Sequence, residues 1–128
     1  MDQDQEIINQ LKQHSGTQHY FKFNTGENVL TDGMNDFRKL CKCDWLLTDI
    51  DAYFLTNHKD ISKGNNTFWL VSIKVDQDKK AVMTIKEDIG IKPIVSQKYE
   101  YTDFPLSEFE FYIIKQNNFW VYLLKNEY

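Results

Sequence analysis

Three carboxylates lie within eight residues at Asp44, Asp49 and Asp51. Paired carboxylates can move protons as general acid and base, or hold a hard cation. Helical spacing puts Asp44 and Asp51 opposite Leu46, Leu47, Ile50 and Phe54, which predicts a capping residue and a solvated face instead. Asp32, in Thr31-Asp32-Gly33, and Asp103, in Tyr101-Thr102-Asp103-Phe104-Pro105-Leu106, are the other two candidates. Asp before Gly, or shortly before Pro, ordinarily bonds its own downstream amides in a turn or cap. Asp103 is therefore expected to accept a backbone bond within its turn. A catalytic role requires the fold to bring Asp32 and Asp103 to one end of a sheet.

Cys41 and Cys43 invite a metal or redox reading. On a helix, positions two apart point about 200° apart, so they share no ion without an intervening turn. Zinc wants four ligands, and only His14, His19 and His58 are available to complete a set. A disulfide at this spacing is strained and closes almost no loop. Free thiols, no metal and no cofactor are the expectation. The histidines stand at no nucleophile spacing, and no G-x-S-x-G, H-E-x-x-H or glycine-rich phosphate loop occurs.

The 128 residues suit one domain, 1–128. Nine Phe, seven Tyr and three Trp point to a core built on rings, which favours strands. A net charge of -4 with Arg38 as the single arginine argues against nucleic-acid binding, because Arg is the preferred reader of phosphates and bases. No apolar run approaches the ~18 residues of a membrane span. The first six residues are acidic and polar, unlike a secretory leader. A reduced, cytoplasmic chain is expected.

The elements follow from periodicity. Ile7, Ile8, Leu11 and His14 mark a helix, capped by Asp2 or Asp4 and ended at Ser15-Gly16. A short strand at 20–23, a turn at 24–28 and a return at Val29-Leu30 come next. A second helix, capped by Thr31 or Asp32, aligns Met34, Phe37, Leu40 and Cys41. A third, capped by Asp44, aligns Leu46, Leu47, Ile50, Tyr53 and Phe54. Residues 56–67 read as a loop. Strands of period two are predicted at 67–75, 81–86, 94–101, 109–115 and 119–125, with turns at 76–79, 87–90 and 116–118. The fold class is α+β, with N-terminal helices packed on an antiparallel meander of about five strands.

The last two strands carry large apolar groups on both faces, whereas a sheet covered on one side should alternate apolar and polar. Something must cover the second face: a helix, sheet curvature or a partner. Trp120, Tyr122 and Leu124 are the candidate binding face, for a protein partner or a homodimer.

The order Gly16-Thr17-x-x-Tyr20, Leu30-Thr31-Asp32-Gly33, Trp45-Leu46-Leu47, Phe68-Trp69 and Tyr101-Thr102-Asp103-Phe104-Pro105-Leu106 resembles a family of small bacterial proteins of unknown function, also found in phage and plasmid genomes. Members often carry Asp directly after Trp-Leu-Leu, where this chain has Thr48 and then Asp49. The resemblance implies a single soluble domain in a mobile-element context. The leading expectation is a non-catalytic binding or regulatory module acting by protein–protein contact. The alternative is a small enzyme using Asp32 and Asp103. A weaker third is nucleic-acid binding by stacking on Tyr and Trp.

Overall fold

Trp69, Val71 and Ile73 point to one side of a strand, and Phe68, Leu70 and Ser72 to the other, because side chains alternate along extended backbone. That strand is central to a seven-stranded sheet. The computed structural model describes residues 3–23, 28–55, 67–87, 92–116 and 119–128. The elements are α1 (Gln3–Leu11), β1 (Tyr20–Lys22), β2 (Asn28–Thr31), α2 (Asp32–Cys41), α3 (Asp44–Leu55), β3 (Phe68–Val75), β4 (Ala81–Lys86), β5 (Val95–Tyr99), β6 (Glu108–Gln116) and β7 (Phe119–Leu124). A 3₁₀ turn follows at Lys125–Glu127. Asp2, His58, the turn at 24–27, the loop at 56–66, and parts of the turns at 88–91 and 117–118 lie outside the described residues.

The α+β class holds, but the sheet is mixed and larger than a five-strand meander. Its order is β1-β2-β7-β6-β3-β4-β5. β2 runs parallel to β7, pairing Asn28 with Trp120 and Leu30 with Tyr122, while the other pairs are antiparallel. β6 pairs with β3 and not with β5. The chain after β5 therefore crosses the ends of β4 and β3 before it re-enters the sheet. Thr102 N bonds Lys79 O at 2.8 Å and Val75 N bonds Ser107 O at 2.8 Å along this crossing. Phe104 and Leu106 are buried beneath it.

All three helices contribute to one core. Met34, Phe37, Leu46, Leu47, Ile50 and Phe54 pack onto Leu30, Trp69, Val71, Ile73, Met83, Phe111, Ile113 and Tyr122. Phe37 stacks on Phe109 with centroids 4.4 Å apart and turns its edge to Phe104 at 6.1 Å. The cross-strand row Trp69–Ile113–Tyr122–Leu30 lies under α3, whose Phe54 meets Trp69 edge-on. Burying one such side chain fully contributes roughly 1.5–3 kcal/mol, so the face opposing the helices dominates stability.

The structure corrects the expected binding face. Tyr122 and Leu124 are fully buried under the helices, and Trp120 packs edge-on against Phe54 at 4.9 Å. Val121 and Leu123 lie on the opposite face and are also buried within the single chain. There Phe68, Tyr112 and Tyr128 pack ring to ring at 4.7–5.6 Å, so Tyr128 folds back over the sheet. Among the described residues, no helix is long and apolar enough to cross a membrane.

Candidate functional site

Thr31-Asp32-Gly33 sits where β2 becomes α2, and each residue has a separate task. Thr31 is the N-cap, its hydroxyl accepting from Met34 N at 3.2 Å. The same hydroxyl donates to the Glu127 carboxylate at 2.6 Å. Glu127 also accepts from Gly33 N at 3.0 Å and Leu124 N at 2.8 Å, placing an anion at the positive end of α2. A Cβ on Gly33 would meet Glu127 Oε1 at 2.5 Å and Leu124 Cδ1 at 2.6 Å, so glycine makes the seat. Asp32 points the other way, accepting from Gln18 N at 2.9 Å beside His19 at 3.5 Å. The Gln18 amide holds the Asp32 carboxyl below its usual range; slight desolvation opposes this and His19 adds to it. Thr17 closes the arrangement by accepting from Asp32 N at 2.9 Å. The motif ties two distant stretches of chain to one helix end.

Asp103 is exposed, on the crossing after β5. Its expected turn bond is made by its neighbour, since Thr102 Oγ1 accepts from Phe104 N at 3.1 Å. Asp103 instead borders a shallow groove of about 320 Å³ with Trp45, Tyr99, Tyr101 and Thr102. Asp32 and Asp103 do not meet. β2 and β5 are five strand steps apart, roughly 24 Å at ordinary strand spacing, and the two carboxylates line no common cavity among the described residues.

The three carboxylates of α3 have separate fates. Asp44 is exposed and faces Arg38 at 3.3 Å. Asp49 accepts from Tyr99 Oη at 2.7 Å and Gln97 Nε2 at 3.4 Å, and Tyr53 Oη donates to Gln97 at 2.8 Å. Burial first, and Asp49 second, push the Tyr99 phenol up. Asp51 corrects the expectation of a solvated face: it is 2% exposed. It accepts from Asn28 Nδ2 at 2.7 Å and from the Tyr122 hydroxyl. Burial pushes the Tyr122 phenol well up, and the Asp51 charge adds to it, so Tyr122 stays a donor. Asn28 Oδ1 has no partner among the described residues.

Cys41 and Cys43 are buried free thiols. Their mutual hydrogen bond, then burial, push the Cys43 thiol up and away from the reactive thiolate. Among the described residues no three His, Cys, Asp or Glu side chains gather as metal ligands. His14 pairs with Asp36 at 3.0 Å, tying the segment that follows α1 to α2.

Residues 5–128 match the family described as Family of unknown function (DUF6876). The chain belongs to that family. No curated protein and no solved structure matches it. The DUF6876 domain here includes both the Thr-Asp-Gly cap and the Thr-Asp-Phe-Pro-Leu crossing, so both lie inside the family's bounds. Within this domain the buried Asp51–Asn28–Tyr122 triad had no local signal in the sequence, because its members come from α3, β2 and β7. The Trp45–Tyr99–Tyr101 groove had a partial one, since Tyr99 and Tyr101 alternate out of β5 onto the crossing.

Proposed function

We propose that this DUF6876 domain is a non-catalytic, cytoplasmic protein-binding module that takes an extended polypeptide segment along the outer edge of β5. The observation that carries this reading is Tyr101, 74% exposed beside an edge strand. Among the described residues β5 ends the sheet, and every second N–H and C=O of an edge strand faces outward, a ready template for another strand. Next to it, Trp45 turns its ring edge-on to Tyr99 at 5.2 Å, and Thr102 and Asp103 complete the groove. Main-chain pairing gives affinity in such a mode, and an adjoining aromatic pocket gives specificity. Large aromatics at a surface are enriched in interfaces. The buried free thiols suit a reducing compartment. A small accessory binder also suits the mobile-element context that the sequence resemblance implies.

The test is selection of peptides from a random library against the full chain, followed by fluorescence polarisation on Tyr101→Ala and Asp103→Lys. Both residues are exposed, so both variants should fold. The expected result is micromolar binding weakened roughly tenfold by Tyr101→Ala, the loss of an aromatic anchor. Failure to select any peptide, or binding untouched by both variants, overturns the reading.

A further inference from the structure

A second cavity, of about 400 Å³, shares no lining residue with the Trp45–Tyr99–Tyr101 groove and lies between α1, the facing ends of β3 and β6, and the closing 3₁₀ turn. That volume falls within the ~300–1,000 Å³ of small-ligand sites. Its floor is apolar: Ile8, Leu11, Phe109 and Leu124. Phe109 stacks there on Phe37, with ring centroids 4.4 Å apart. Five charged side chains border it: Lys12, Lys74, Lys125, Glu108 and Glu110.

The charges do not cancel. Lys125 Nζ bonds Glu110 at 2.9 Å, and Glu110 holds the Lys125 ammonium above its usual range. Lys74 and Glu108 stand directly opposite each other in the β3–β6 register, where opposite charges attract. Lys12, in the turn one residue past the end of α1, is exposed and has no ion pair among the described residues. An apolar floor rimmed by three lysines and two glutamates carries one net positive charge, which favours a ligand with an apolar body and one negative charge. We infer that this cavity is a binding site for a small amphipathic monoanion, its tail on Phe109, Ile8 and Leu124 and its carboxylate at Lys12. The site is independent of the β5 edge.

The probe is sodium octanoate, below its micellar range, titrated into the ¹⁵N-labelled full chain, with octylammonium as the cationic counterpart. Saturable amide shifts at Ile8, Leu11, Phe109 and Leu124 are expected with octanoate and not with octylammonium. Lys12→Glu falls on an exposed turn residue just past α1, so the variant should fold. It should weaken octanoate binding roughly tenfold or more, the scale of a lost charge-assisted contact. Lys39→Glu, on an exposed position of α2 outside this cavity, should leave it unchanged. The proposal is overturned by the absence of saturable shifts at millimolar octanoate. Equal binding of octylammonium, or equal weakening by both variants, overturns it too, since each would show that Lys12 does not select the ligand.

Discussion

At the scale of single residues, the side chains with chemical potential are used to tie the chain together. Gly33 is the sharpest case. Gly33→Ala would push away the carboxylate that caps α2, because the nearest atom to the new methyl is Glu127 Oε1 at 2.5 Å. The expected loss is about 1–2 kcal/mol, the worth of an N-terminal cap, read as a lower urea midpoint with an unchanged slope. Thr102 and Asp103 give a paired prediction. Thr102→Val removes the acceptor of Phe104 N in a buried turn and should cost about 1–3 kcal/mol. Asp103→Ala touches an exposed side chain and should stay within about 0.5 kcal/mol. The reverse order in chemical denaturation would show that the crossing is held by Asp103 after all.

At the scale of elements, what the sequence disclosed and what it hid divide along a physical line. Alternation and helical stripes are local properties, so α1 to α3 and the strands are legible in the spacing of residues such as Trp69, Val71 and Ile73. Partner choice is not local. Nothing near Asn28 announces a parallel seat beside Trp120, and nothing near Glu108 announces β3 as its neighbour rather than β5. Asp51 shows the cost of that blindness for the site. The expectation sets it opposite the apolar stripe, but it falls four residues after Leu47, on the flank of that stripe, where its partners decide its burial. Those partners arrive on β2 and β7. Tyr122→Phe should therefore destabilise by about 1–3 kcal/mol, since it leaves a buried carboxylate short of a donor. It should also change the alkaline limb. The phenol of folded Tyr122 is raised above the ordinary value near 10, so the unfolded chain loses its proton first. The unfolded state then binds fewer protons, and stability is full below about pH 10 and falls as pH rises past it. Tyr99, raised chiefly by burial and then by Asp49, acts in the same direction. Urea titrations from pH 8 upward should show a shallower alkaline decline in Tyr122→Phe than in the parent; equal slopes would mean that Tyr122 ionises freely in the folded chain.

At the scale of the whole molecule, the two apolar sheet faces posed a problem that one chain resolves. Tyr122 and Leu124 are buried by the helices, and Leu70, Val121 and Leu123 are buried on the far face of the same chain, beside the Phe68–Tyr112–Tyr128 cluster. A fold that needs a second copy to bury its core gains stability with concentration, because association draws the folded state forward by mass action. Here the core is closed without one. The urea midpoint should therefore be the same at low and high micromolar concentration, and light scattering should give the monomer mass at both. A peptide selected on the β5 edge should raise that midpoint with its own concentration, since it binds only the folded state. A midpoint that rises with the concentration of the chain alone would instead mean that a second copy completes the fold, with β5 or the exposed Phe119 and Tyr128 at the contact.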